Sequence, residues 1–71
     1  DGRIDAVAET DKWVYLFEFK LNKDDSALEQ IKEKEYFKPY LLSNKRIMLV
    51  GVNFDTGTGK LSDWKDEEVA K

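Results

Sequence analysis

The clearest pattern in the chain is a strict alternation of side chains from Trp13 to Leu21. Aromatic residues occupy every second position of this segment: Trp13, Tyr15, Phe17 and Phe19. The positions between them hold Val14, Leu16, Glu18 and Lys20. Because alternate side chains of a β-strand point to opposite faces, the pattern predicts a strand with one aromatic face and one face that ends in two charges.

A weaker alternation precedes this strand, over residues 3–9, and predicts a partner strand. The short polar segment between the two predicts a tight hairpin connection. With a two-residue loop, antiparallel pairing places Asp5 directly opposite Glu18 and Arg3 opposite Lys20. A slip of one residue would send these side chains to opposite faces, so the register is a prediction that a structure tests.

A helix is predicted after the hairpin. The segment 24–26 suits a helix start, and Ser26 with Glu29 has the spacing of a capping box. The helix is expected to run from about Asp25 to Phe37 or slightly beyond. Its apolar stripe consists of Ala27, Leu28 and Ile31, and its solvent side of Lys32, Glu33 and Lys34. Because Pro39 disfavours helix at the residue before it, the last turn is either kinked or followed by a short second helical segment through Leu42.

The remaining sequence predicts two more strands. Lys45 to Phe54 is an almost continuous apolar run, which is typical of an interior strand in a parallel sheet. A turn over 55–59 leads to a short edge strand over 60–65, and the charged tail 66–71 is expected to fray. The predicted fold is a single α/β domain with a mixed sheet: a β-hairpin, a crossover helix, a parallel strand and a short edge strand.

Composition narrows the chemistry. The 71 residues include 12 Lys and Arg and 15 Asp and Glu, for a net charge of −3, and contain neither His nor Cys. Zinc fingers, disulfide scaffolds, Ser-His-Asp triads and cysteine nucleophiles are therefore excluded. Carboxylates, lysines and hydroxyls remain, and they suit hard cations such as Mg²⁺, Mn²⁺ or Ca²⁺.

Other properties of the chain bear on its context. The lack of cysteine fits a cytoplasmic, reducing location. No apolar run approaches the ~18 residues of a membrane span, and no leader segment is visible. The chain begins at Asp1 without an initiator Met. A domain of this size is marginal on its own, so we expect a C-terminal fragment of a longer protein.

One constellation stands out: Asp5 on the first strand and Glu18-x-Lys20 on the second. Two carboxylates on one face of neighbouring strands can share a divalent cation, and a lysine two positions on can orient a water or stabilise negative charge on phosphorus. The alternative is a set of solvated cross-strand charges that neutralise each other. Glu18 and Lys20 interrupt the most hydrophobic hairpin of the chain, which favours a functional role.

Together, four segments resemble the PD-(D/E)XK nuclease superfamily: Gly2-Arg3-Ile4-Asp5, Phe17-Glu18-Phe19-Lys20, a helix with Gln30-Ile31 and Tyr36, and Gly51-Val52-Asn53-Phe54. More narrowly, the chain resembles bacterial proteins in which such a domain follows an N-terminal AAA-ATPase-like domain. The resemblance implies a restriction-endonuclease-like core, Mg²⁺ or Mn²⁺ held by Asp5 and Glu18, and Lys20 as the catalytic lysine.

The chain departs from this pattern in two ways. Gln30 matches a helix glutamine found near the site in many members, but the tyrosine often seen four residues later is replaced by Lys34, and the nearest tyrosine is Tyr36. Gln30 and Tyr36 are therefore accessory candidates. The first helix and strand of the superfamily core have no counterpart in this chain, so the core is partial and the sheet is expected to have an exposed edge.

Two functions follow as hypotheses. The first is a metal-dependent nuclease-like domain that hydrolyses phosphodiester bonds of nucleic acid. The second is a catalytically inactive nuclease-fold module that serves protein interaction or homodimerisation through exposed sheet edges, with the N-terminal ATPase-like domain as a further partner. The net charge of −3 means that basic surface for nucleic acid would have to come from another region or a partner.

Overall fold

The computed structural model describes residues 5–21 and 27–71, apart from the side chain of residue 62. Four strands and one helix follow in this order: β1 (Ala6–Glu9), β2 (Trp13–Leu21), α1 (Ala27–Lys34), β3 (Arg46–Asp55) and β4 (Lys60–Glu68). Three predicted features lie outside the described residues: the Gly2-Arg3-Ile4 segment, the pairing of Arg3 with Lys20, and the helix start with the Ser26–Glu29 capping box. None of the described helices is long and apolar enough to cross a membrane.

The hairpin has the predicted register. β1 and β2 are antiparallel, with Ala6 opposite Phe17 and Glu9 opposite Val14. Continuing that register by one residue places Asp5 opposite Glu18. Thr10 closes the connection, because its backbone N–H donates to the Trp13 carbonyl at 2.8 Å. Asp5 and Glu18 therefore lie on neighbouring strand positions, as the hairpin prediction required.

The sheet is mixed, with the order β1-β2-β3-β4. β2 and β3 are parallel, as the crossover helix and the apolar run predicted, and β4 returns antiparallel to β3. β4 is longer than predicted: it continues to Glu68 rather than ending at Lys65, and the tail does not fray. The backbone N–H of Val69 donates to the Ile47 carbonyl at 2.9 Å, and the Val69 side chain packs against the core. Backbone pairing and one apolar contact thus hold a segment whose charged side chains suggested a free end.

The helix is shorter than predicted. It ends at Lys34, three residues before Phe37, because Glu35 adopts a left-handed φ of 56° that cannot continue an α-helix. A 3-10 turn follows over Lys38–Tyr40, which corresponds to the predicted alternative of a second helical segment. Leaving the helix at this point lets the chain pack Phe37, Tyr40 and Leu41 against the core.

The hydrophobic core lies on one face of the sheet, beneath α1. Its buried members come from β2, α1 and β3: Val14, Leu16, Leu28, Ile31, Ile47 and Leu49. The opposite face carries the β2 aromatics, which are half-buried from Trp13 to Phe17, and Phe19 is 43% exposed. Among the described residues, no helix covers this second face, since α1 packs on the first. The aromatic face is therefore the open face of the sheet.

Candidate metal centre

Glu18 is the deepest charged residue of the candidate site. It lies near the end of β2 on the core face, following Val14 and Leu16 at alternate positions, and only 2% of the residue is exposed. Its neighbour on β3 is Gly51. A side chain at Gly51 would clash with the start of α1, since a Cβ would lie 2.7 Å from the Ala27 carbonyl carbon. The glycine lets the helix backbone approach the sheet beside Glu18.

The Glu18 carboxylate is paired with Lys34, the last residue of α1. The lysine Nζ lies 3.1 Å from Oε1 and 3.2 Å from Oε2, so it donates to both oxygens. The Glu18 side chain is 3% exposed and the Lys34 side chain 31%. A carboxylate so deep in the protein requires a positive or hydrogen-bonding partner, and Lys34 supplies one. The expectation that Lys34 faces solvent was therefore wrong.

Asp5 is held against the strand positions that flank Glu18. Its backbone N–H donates to the Phe17 carbonyl at 3.2 Å, and its side-chain Oδ2 accepts a hydrogen bond from the Phe19 N–H at 2.8 Å. The Phe19 amide is the peptide group that directly follows Glu18. Asp5 itself is exposed. The two carboxylate-bearing residues are thus neighbours, one anchored to the backbone at the surface and one buried.

Lys20 lies two positions after Glu18 on the same strand and face, and it is half-exposed. Its register partner on β3 is Asn53, which is 8% exposed and donates from Nδ2 to Asp63 Oδ1 at 2.9 Å. Within the described ranges, none of the ion pairs involves Lys20, and the lysine that contacts the Glu18 carboxylate is Lys34. Lys20 is therefore a half-exposed residue at the end of the strand that carries Glu18, whereas Lys34 makes the direct contact.

Among the described residues, the groups with a shifted pKa belong to ion pairs formed with residues of β4. A hydrogen bond from Arg46 lowers the pKa of Glu68 and correspondingly raises the pKa of Arg46, with Arg46 Nη2 at 2.6 Å from Glu68 Oε1. A hydrogen bond to Glu67 raises the pKa of Lys32. These pairs are exposed, and they tie β4 to β3 and to α1. Residues 5–21 and 27–71 contain no group of three or more Asp, Glu, His or Cys side chains placed to hold a metal ion.

Comparison with known proteins identifies the family. The sequence model of the PD-(D/E)XK nuclease superfamily matches residues 1–64. The chain belongs to this superfamily. An Azotobacter chroococcum mcd 1 protein named "Uncharacterized protein in vnfD 5'region" is 43% identical over 56 aligned residues, and the match covers 75% of this chain. The chain spans only 11% of the length of that relative. No solved structure gives a significant match.

The PD-(D/E)XK accessory candidates occupy different settings. Gln30 is half-exposed on α1, one helical turn before Lys34, whereas Tyr36 is half-buried in the turn beyond the helix. Because Glu35 ends the helix, Tyr36 does not continue the face that carries Gln30. The residue that follows Gln30 by one turn on the same face is Lys34, and this lysine reaches the carboxylate.

Lys34 is the residue of this PD-(D/E)XK domain that sequence reasoning missed as a site component. The available signal was its spacing: Ala27, Ile31 and Lys34 follow at i, i+4 and i+7, which is one helical stripe. The first two are fully buried. A lysine that continues a buried stripe buries its stem, and its charged end either reaches water or pairs with an opposite charge. The spacing therefore indicates that Lys34 belongs to the buried face of α1, and the structure shows that its charge pairs with Glu18.

Proposed function

We propose that this domain hydrolyses phosphodiester bonds of nucleic acid with Mg²⁺ or Mn²⁺ held by Asp5 and Glu18. The observation that supports the proposal is the hydrogen bond from the Phe19 N–H to Asp5 at 2.8 Å, which fixes Asp5 beside the peptide of Glu18 in a PD-(D/E)XK chain. Carboxylate oxygens are the donors that hard divalent cations prefer. Asp5 and Glu18 on neighbouring strand positions supply such donors, and a cation there would take the place of Lys34 as the positive partner of the buried Glu18 carboxylate.

Each candidate residue has a distinct role in the proposed hydrolysis. A divalent cation on the two carboxylates would polarise a phosphoryl oxygen and lower the pKa of a bound water. Asp5 is already oriented by the Phe19 amide, so little reorganisation is needed when it binds. Lys20, half-exposed at the end of β2, would orient the attacking water or stabilise the negative charge that develops on the phosphate. Gln30 is the accessory residue on the adjacent helix face.

The test combines metal binding with cleavage. Mn²⁺ titration and cleavage of single- and double-stranded DNA and RNA are measured for the parent chain and for Asp5→Asn, Glu18→Gln and Lys20→Met. We expect saturable Mn²⁺ binding that either carboxylate substitution abolishes, together with cleavage. Lys20→Met is expected to retain metal binding and to lower the cleavage rate by roughly 10²–10³-fold, the usual effect of removing one group that stabilises developing charge.

A matched control is Glu9→Gln. Glu9 lies on β1 like the candidate ligand, but at the other end of the strand, where it is exposed and its carboxylate is 4.0 Å from Lys45 Nζ. Its substitution removes one negative charge from the same hairpin and should leave binding and cleavage unchanged. Cleavage that survives both carboxylate substitutions, or that Glu9→Gln abolishes equally, would refute the assignment.

The larger context remains a prediction. The matched relative is much longer than this chain, which accords with a longer protein around the domain. We infer an N-terminal ATPase-like domain as its partner and a cytoplasmic location from the resemblance and composition described above. Basic surface on that partner would supply phosphate contacts that a domain of net charge −3 lacks.

The open aromatic face favours a second candidate, a nuclease-fold module that binds protein. Among its exposed apolar residues, Phe19 is 43% and Trp64 65% exposed, and such surfaces commonly serve protein contacts. Sedimentation of the chain over a range of concentrations, compared with Trp64→Ser, tests whether it self-associates. A monomer without metal binding or cleavage would count against both candidates.

A further inference from the structure

The ion pair between Lys34 and Glu18 has the properties of an internal counter-ion. We propose that Lys34 competes with the divalent cation for the Glu18 carboxylate and is displaced when the cation binds. This inference rests on the proposed function, because it takes Glu18 as a metal ligand. It adds a residue from the helix, and an exchange of partners at Glu18, to a site otherwise built from the two strands of the hairpin.

The geometry makes simultaneous binding unfavourable. Lys34 Nζ contacts both carboxylate oxygens, at 3.1 and 3.2 Å, so the ammonium lies symmetrically in front of the group. A divalent cation bound to the same oxygens would lie within a few ångströms of the ammonium. Like charges at this distance repel strongly where burial limits screening by water. Cation binding therefore requires Lys34 to move away.

The structure also allows Lys34 to leave. It is the last residue of α1, its side chain is 31% exposed, and its flexible stem can carry the ammonium to solvent. Glu18 cannot make the same move, because its side chain is 3% exposed within β2. The buried carboxylate is stabilised by a positive partner, and Lys34 provides it until a cation binds.

A purely structural ion pair would behave differently. In that case Lys34 would stabilise the junction of α1 with the sheet and remain bound to Glu18 whatever the metal concentration. Removing it would then destabilise the fold without strengthening metal binding. The two alternatives are separated by the sign of the change in cation affinity.

The first experiment is a titration of Mn²⁺, followed by electron paramagnetic resonance of the free ion, with four forms of the chain: parent, Lys34→Met, Lys34→Arg and Lys32→Met. We expect Lys34→Met to bind Mn²⁺ at least about tenfold more tightly, because a positive charge next to the ligand has been removed. Lys34→Arg retains the charge and should keep an affinity close to that of the parent. Circular dichroism verifies that each form is folded.

Lys32→Met is the matched control. It removes the same charge and an ion pair from the same helix, but that pair joins Lys32 to Glu67 on β4, at 3.2 Å, rather than to Glu18. Its Mn²⁺ affinity should lie within about twofold of the parent, as expected for a screened surface charge. An equal gain in Mn²⁺ affinity in Lys32→Met and Lys34→Met would mean that net charge alone explains the effect, and it would overturn the inference.

The remaining outcomes separate the inference from the proposed function. Mn²⁺ binding that is saturable in the parent but unchanged or weaker in Lys34→Met would overturn the competition and leave the metal site standing. Absence of saturable binding in every folded form would overturn the metal site and the inference with it.

A second measurement uses the parent chain alone and does not depend on how a variant folds. Reductive methylation of lysines is followed by mass spectrometry with and without saturating Mg²⁺. Displacement from Glu18 exposes the Lys34 amine, so its methylation rate should rise severalfold relative to that of Lys32. An unchanged ratio of the two rates at saturating Mg²⁺ would contradict the exchange.

Discussion

The contact between α1 and Gly51 leads to a sharp prediction for Gly51→Ala. An added Cβ would lie 2.7 Å from the Ala27 carbonyl carbon and from Leu28 Cα, and closer still to the Leu28 backbone nitrogen. These are backbone atoms, so no side-chain rotation can relieve the clash. The helix must shift away from β3, and it carries Lys34 with it.

The expected cost follows from this geometry. Overpacking a well-packed interior costs roughly 1–3 kcal/mol, and a clash with backbone belongs at the upper end of that range. Replacing glycine by alanine also reduces the conformational entropy of the unfolded chain, which stabilises the protein by about 0.4–1 kcal/mol. We therefore expect a net loss of about 2–2.5 kcal/mol in the free energy of unfolding. In a domain of this length such a loss lowers Tm by roughly 10–20 °C.

Urea unfolding, followed by far-ultraviolet circular dichroism, measures the effect. The matched control is Gly57→Ala in the exposed turn between β3 and β4, where a Cβ would meet only Asp55 Oδ1, at 3.2 Å. That contact is with the end of a side chain, so the control should change stability by no more than about 1 kcal/mol. A Gly51→Ala protein within about 0.5 kcal/mol of the parent would refute the close approach of α1 to the sheet.

Two further predictions concern the helix end and the edge strand. Glu35→Gly should raise the free energy of unfolding by up to about 1 kcal/mol, because glycine adopts the left-handed φ of 56° without strain, whereas Glu33→Gly within α1 should lower it by a similar amount. Changes of the same sign in the free energy of unfolding of the two variants, measured by urea unfolding, would contradict this prediction. The hydrogen bond from Arg46 lowers the pKa of Glu68 below its usual 4.5. The ion pair therefore stabilises the folded chain above pH 4.5, and this stabilisation is lost as the pH falls through the lowered pKa of Glu68. The stability difference between the parent and Glu68→Gln should shrink from about pH 7 to about pH 3, and a constant difference would exclude the pair as its cause.

Much of the fold could be predicted because its signals are local. The alternation in β2 and the apolar run of β3 each depend on the period of a strand, and the hairpin register depends on a short connection. β4 shows where local signals fail: its last residues are charged and exposed, and they are held by pairing with β3, by the packing of Val69 and by the ion pairs of Glu67 and Glu68. The prediction of the helix end was wrong for a similar reason, because the left-handed φ of Glu35 allows residues further along the chain to pack against the core.

The same distinction between local signals and tertiary packing applies to the candidate site. By itself, the sequence determined that Asp5 and Glu18 lie opposite each other, because pairing across a tight hairpin is set by residue count. It also limited the chemistry to oxygen ligands and lysine, because His and Cys are absent. Only the tertiary structure decided that Glu18 is buried and that its partner is Lys34, 16 residues along the chain, rather than Lys20. That choice depends on how closely α1 approaches the sheet over Gly51, a distance between elements that no local pattern encodes.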